Sequence, residues 1–327
     1  MAEHARDPIA ADDNHDANDA DSAFGDSLRD SLTSLHSSIL AYQEENGRTY
    51  HALSAGKYIL PNDESENERL DLQHHLHVLT QKGRLACAPK AQEGAKMVLD
   101  VGTGTGIWAL EYADVFPGST VIGVDLSPIQ PGFVPPNCTF EIDDVEKEWT
   151  WNQPFDYIFA RQMAGSFVDY PGFIKNSFKA LEPGGYLEMQ DISFPLKCDD
   201  GTMSKESYVY RWTQGFVDAC NVLGRPIDSA PKYKKMFEEA GFVDIVVENF
   251  VWPINRWPKD PKLKEIGHWT LANVSSGTEG LTMASFTRGL GWTKDEVMTF
   301  CVNLRRELKD PRIHAYWPMY IVYGRKP

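Results

Sequence analysis

The sequence contains no run of about 18 or more consecutive apolar residues, so no transmembrane helix is expected. Nor does its beginning pair a basic start with an apolar stretch, and no secretory signal is predicted. Cysteine is sparse: five residues, Cys87, Cys138, Cys198, Cys220 and Cys301, scattered and odd in number. Without a C-x-x-C or a Cys/His cluster, neither a disulfide framework nor a zinc site is expected. An intracellular, reducing location follows as the expectation, cytoplasmic or nuclear and not secreted. A strong basic import signal is also missing, as is any internal repeat.

Positive charge is short as well. The 327 residues carry a net charge of −15. Residues 1–26 hold eight acids against one Arg6, a balance of −7, in a stretch of Ala, Asp and Asn without apolar periodicity. Such a segment reads as a disordered acidic tail. The rest of the chain is mildly acidic, which argues against nucleic acid as a partner because phosphate binding needs a basic surface.

After the tail, Leu28, Leu32, Leu35, Ile39 and Tyr42 fall at helical steps and predict an amphipathic helix over 27–45, broken by Asn46-Gly47. A second helix is predicted over 62–81, and residues 27–95 read as a helical cap. From Lys96 short apolar runs alternate with helical stretches: strands over 97–101, 120–125, 139–142, 155–160 and 186–190, with helices between. Such alternation predicts a doubly wound α/β fold with a mostly parallel, seven-stranded, Rossmann-like sheet over 96–327. The last strands, 243–250 and 317–324, are expected to pair antiparallel at the edge. Between them, residues of about 253–312 form a helical insertion, read as three helices over 260–274, 279–290 and 293–309.

The richest local pattern is Asp100-Val101-Gly102-Thr103-Gly104-Thr105-Gly106 at a strand-to-helix junction. Alternate glycines let the backbone turn sharply and approach a ligand, and the following helix presents free N–H groups there. The third glycine comes one residue too early for a dinucleotide fingerprint, whose position Ile107 holds. The Gly-Lys-Ser/Thr of a phosphate-cradling loop is missing too. S-adenosylmethionine (SAM) carries no phosphate but has an ammonium that Asp100 could orient directly or through water. A tight structural turn would account for the loop alone. Asp125 ends the second strand 19 positions after Gly106, with Leu126 beside it. A carboxylate there can accept both ribose hydroxyls, or cap the turn at Ser127-Pro128. Past the third strand, Asp144, favoured over Asp143, can take the adenine amino group while the Val145 N–H serves a ring nitrogen.

These segments, with Phe155-Asp156-Tyr157-Ile158 and Leu181-Glu182-Pro183-Gly184-Gly185-Tyr186, resemble the successive motifs of class I SAM-dependent methyltransferases. A narrower resemblance is to the fungal LaeA-like methyltransferases. It is carried by Glu45-Asn46-Gly47-Arg48-Thr49-Tyr50-His51, Leu60-Pro61-Asn62-Asp63, Arg69-Leu70-Asp71-Leu72-Gln73-His74-His75, Trp257-Pro258-Lys259-Asp260 and the final Gly324-Arg325-Lys326-Pro327. The resemblance implies SAM as cofactor, S-adenosylhomocysteine (SAH) as product and no metal. It also implies one of two roles: methylation of a small-molecule secondary metabolite, or regulation of secondary metabolism through velvet-type protein partners or protein methylation. A nicotinamide dehydrogenase is excluded by the glycine spacing.

Methyl transfer needs a general base only when the acceptor must lose a proton, so no catalytic dyad is required and the catalytic residue is left open. His268 and His314, in or beside the insertion, are weak candidates for such a base. The segment around Arg48 and Tyr50 is predicted to fold over the methionine end of SAM. Arg161, Gln162 and Met163 follow the fourth strand, where the resemblance implies residues facing the methyl group. His74, His75 and His77 are read as structural, since a metal pair would want i, i+4 spacing with a third ligand. Several of Trp252, Trp257, Trp269, Trp292 and Trp317 could line an aromatic acceptor pocket.

Overall fold

The computed structural model describes residues 41–327. The acidic tail and most of the helix expected over 27–45 lie outside the described residues. The end of that helix is corrected: Gln43–Glu45 and Arg48–Tyr50 are strands β1 and β2 of a hairpin, pairing Gln43 with Tyr50 and Glu45 with Arg48. Asn46 (φ 54°) and Gly47 (φ 83°) form the two-residue loop. Two positive φ angles match the twist of the flanking strands, so Asn-Gly is a hairpin signal before it is a helix stop.

Helix α1, Glu64–Thr80, begins where Asp63 accepts the Glu66 N–H and caps it. The sheet then follows: β3 (Met97–Val101), α2 (Ile107–Val115), β4 (Thr120–Asp125), β5 (Cys138–Ile142), β6 (Phe155–Arg161), α3 (Tyr170–Ala180) and β7 (Leu181–Ile192). Next come α4 (Tyr208–Val222), α5 (Tyr233–Ala240), β8 (Val243–Pro253), α6 (Pro261–Ala284), α7 (Lys294–Leu308) and β9 (Tyr316–Arg325). The seven strands lie in the order β5-β4-β3-β6-β7-β9-β8. The first five are parallel, and β9 runs antiparallel between β7 and β8. The edge pairing expected from the sequence is therefore present, with Trp252 opposite Trp317.

The insertion differs from expectation in one respect. Residues 261–284 form one helix that ends in a π turn at Ser285–Gly289, rather than two helices. Ser275, Ser276 and Gly277 look like a break in sequence, yet the run continues. Thr270, Thr278 and Thr282 turn their hydroxyls onto the carbonyls of Ile266, Val274 and Thr278, four residues back. Gly277 is required by packing: a Cβ there would stand 2.3 Å from Arg69 Cδ. Helix α6 crosses α1 at that point, so the N-terminal segment and the insertion meet over the sheet.

Candidate functional site

A cavity of about 1620 Å³, counted out to its mouth, runs along the carboxyl ends of the strands. That is the place where an open α/β sheet takes ligands. Its floor comes from the loops after β3 to β6. Its cover comes from residues 57–62, α1 and α6.

At one end lie the glycine loop and the acids. Gly102, Gly104, Asp125, Leu126, Asp143, Asp144, Val145 and Arg161 all line the cavity. Gly102 (φ 68°) and Gly104 (φ 59°) adopt the left-handed conformation that the loop requires. A Cβ on Gly102 would stand 2.6 Å from Met163 Sδ. Asp125 accepts the N–H of Gly104 (2.9 Å) and of Ser127 (3.0 Å). It thus both caps the Ser127 turn and faces the cavity, and a carboxylate so bonded keeps lone pairs for further donors. Asp100, Thr103 and Gly106 stand behind this surface instead. The Thr103 hydroxyl donates to Asp100 (2.6 Å), and burial raises the Asp100 carboxyl to about 6. A Cβ on Gly106 would stand 2.4 Å from the Phe140 ring, so this glycine serves helix-to-sheet packing. Open loop backbone beside a cavity-facing carboxylate fits an adenosyl ligand.

Asp144 has partners that the sequence did not announce. Lys57 Nζ reaches both its oxygens at 2.5 Å and Glu146 at 2.9 Å, and the Ser54 hydroxyl donates at 2.8 Å. Burial pushes this carboxyl up, and the Lys57 and Ser54 bonds outweigh it, holding the group below the usual range. Residues 54–62 are thereby tied to the strand ends, and Asn62 adds a bond to Ser127 (3.3 Å).

Arg48 and Tyr50 do not line the cavity, contrary to expectation. Arg48 forks onto Asp63, with Nη2 2.7 Å from Oδ1, because the hairpin turns it toward the start of α1. Tyr50 is buried, with the Arg288 guanidinium 4.7 Å from its ring centre. His268 and His314 are likewise placed elsewhere. His268 lies on the outer side of α6, where its neighbours Ile266, Gly267 and Thr270 take the inward positions. His314 pairs through Nδ1 with Asp200 (2.5 Å) at the surface.

Two of the α1 histidines touch the residues after β6. Arg161 Nη2 donates to His74 Nδ1 (2.9 Å), and Gln162 Nε2 donates to His77 Nε2 (2.9 Å). His75 stacks edge-on against Trp269, with ring centres 4.7 Å apart.

The other end of the cavity is apolar. Phe194, just past β7, and Trp212, Phe216, Trp252 and Trp317, from α4, β8 and β9, line it. The Trp212 and Trp252 indoles spend their N–H groups on Thr282 (3.0 Å) and Thr80 (2.8 Å). Of the expected tryptophans, Trp252 and Trp317 are cavity-lining, whereas Trp257, Trp269 and Trp292 are not. The lining also holds Glu66 with Arg69, an ion pair bonded at 2.9 and 2.7 Å, with Arg69 Nη1 also donating to Asn273 (3.1 Å). Sequence reasoning missed Lys57, Glu66, Arg69 and Asn273. The i, i+3 spacing of Glu66 and Arg69 was visible, but their burial depends on α6 lying above them.

Comparison with known proteins agrees with this geometry. Residues 72–247 match the family described as a methyltransferase domain. The methyltransferase pytC of Aspergillus terreus is 43% identical over 298 residues, covering 91% of this chain and 92% of that one. The probable methyltransferase tdiE of Emericella nidulans is 34% identical over 300 residues, covering 92% and 94%. A protein-methionine methyltransferase of the same organism, laeA, is 34% identical over 290 residues, covering 88% of this chain and 77% of that one. The chain belongs to the class I SAM-dependent methyltransferases, in the fungal group related to pytC, tdiE and the LaeA-like proteins. No helix among the described residues is long and apolar enough to cross a membrane.

Proposed function

We propose that the chain methylates a small molecule, a fungal secondary metabolite, at oxygen or nitrogen. The observation that carries this reading is the covered, aromatic-walled end of the cavity, continuous with the glycine loop and the Asp125 carboxylate. A protein tail would need an open groove, and an acidic one for a basic tail. Similarity to pytC and tdiE supports the same reading.

When bound, SAM supplies an activated methyl group whose in-line transfer discharges the sulfonium. In our reading Asp125 accepts the ribose hydroxyls, and Gly102 and Gly104 let the methionine moiety lie against backbone. Asp144 and Val145 take the adenine edge, with Lys57 and Ser54 fixing the Asp144 carboxylate. Arg161, held by His74, offers its remaining N–H groups to the methionine carboxylate. The aromatic walls exclude water and hold the acceptor in line, which is the larger part of catalysis for a displacement of this kind.

Calorimetric titration of SAM into the intact protein and into Asp125→Ala tests the cofactor site. The variant should bind about 1.5–3 kcal/mol more weakly, the cost of losing a charged hydrogen-bonding partner. Equal affinity in the two proteins would remove Asp125 from the site. Methyl transfer to a purified protein, with none to small molecules, would move the function to the laeA side of the group.

A further inference from the structure

The chemistry of the acceptor can be narrowed further, given the small-molecule reading above. Five aromatic side chains, Phe194, Trp212, Phe216, Trp252 and Trp317, line one end of the cavity. Trp212 and Trp252 have their N–H groups engaged by protein hydroxyls and offer π surface rather than donors, and the buried Trp317 N–H is the one indole donor of the wall without a protein partner among the described residues. An ion entering such a place loses its hydration without a counter-ion, at a cost of several kcal/mol. Flat rings of low polarity are what these walls accommodate.

The charged groups of the lining are unevenly placed. Asp125, Asp143, Asp144, Glu146 and Lys57 belong to the strand ends β4 and β5 and the segment tied to them. Arg161 follows β6 and is held by His74. Glu66 and Arg69 remain, on α1 beneath α6. Each side chain is no more than 3% exposed, so the pair is fully desolvated. Its charges cancel, and Asn273 takes one further N–H of Arg69. Glu66 gives one lone pair of each oxygen to Arg69, through Nε and Nη2. A carboxylate has about four acceptor sites, so Glu66 can accept a further donor. Arg69 is held in place by three of its five N–H groups, two on Glu66 and one on Asn273, and its charge is already balanced by Glu66.

We propose that the methyl acceptor is an uncharged, planar ring compound that donates a single hydroxyl or N–H to Glu66, with Arg69 and Asn273 holding that carboxylate in position. Glu66 is then the residue that selects for a donor-bearing ring, while the aromatic walls select against ions.

Three probes of one ring skeleton test this: 2-naphthol, 2-naphthoate and 2-methylnaphthalene, titrated into the protein saturated with SAH. Tryptophan fluorescence and calorimetry read the binding. The neutral donor, 2-naphthol, should bind at least about tenfold more tightly than either of the others, the equivalent of about 1.4 kcal/mol. In Glu66→Gln its advantage over 2-methylnaphthalene should fall to threefold or less, and Asn273→Ala should lower it in the same direction. Should either variant fail to fold, the ranking in the unaltered protein still decides. Equal or tighter binding of 2-naphthoate, or no binding of any probe, overturns the proposal. Failure of SAH itself to bind would instead remove the methyltransferase reading on which it rests.

Discussion

His74 shows how one side chain can serve the site without touching a ligand. Arginine cannot accept a hydrogen bond, so the contact from Arg161 fixes His74 Nδ1 as the acceptor and leaves the proton on Nε2, 2.9 Å from Glu111. Burial, and after it the Arg161 charge, lowers this imidazole to about 3. The half-exposed Glu111 does not reverse that. A histidine depressed in the folded state takes up its proton first in the unfolded chain. Its contribution is complete above the unfolded value of about 6.5 and is lost as pH falls from there toward 3, at up to about 1.4 kcal/mol per pH unit. Denaturant titrations at pH 7, 5.5 and 4.5 should therefore show a steeper acid loss for the natural chain than for His74→Gln. Parallel acid limbs would mean that His74 is not held neutral. Spacing alone marked His74 only as structural, because its partner Arg161 lies 87 residues away in the chain.

At the scale of elements, the cofactor end was legible and its cover was not. Gly102, Gly104 and Asp125 could be placed from spacing because strand, loop and helix fix them locally. Arg48 and Tyr50 could not, because a hairpin at Asn46-Gly47 points them at Asp63 and Arg288 rather than into the cavity. The neighbouring segment, 54–62, covers the strand ends in their place, and Lys57 is its clasp. Both oxygens of Asp144, whose side chain is 4% exposed, face Lys57 Nζ. Replacing Lys57 by Met keeps the stem and removes the charge. Loss of a bond to a charged group costs about 1.5–3 kcal/mol, so the segment should open more often. Stopped-flow displacement of bound SAH is expected to be about tenfold or more faster in Lys57→Met. An unchanged dissociation rate would show that the clasp does not govern cofactor escape.

Over the whole molecule, the order β5-β4-β3-β6-β7-β9-β8 sets the cofactor acids at one side of the sheet and the tryptophans of β8 and β9 at the other. One cavity therefore spans most of the sheet, and elements from both ends of the chain close it. The sheet was readable because each parallel strand announces itself in a few residues. The closure was not, since the contact of α1 with α6 joins positions about 200 residues apart, as Arg69 and Asn273 show. The described residues, 41–327, belong to one compact unit, so the cover should not unfold ahead of the sheet. Far-ultraviolet dichroism and tryptophan fluorescence are expected to report coincident melting. Three of the nine tryptophans, Trp212, Trp252 and Trp317, stand in the shared cavity wall and contribute to the fluorescence, which is best read with the other six replaced by Phe, and the dichroism reports the sheet and helices. SAH at 100 times its Kd should raise stability by about 2.7 kcal/mol and move both signals together. A fluorescence transition that precedes the dichroism, or one that SAH shifts alone, would mean that the cover folds as a separate cooperative unit.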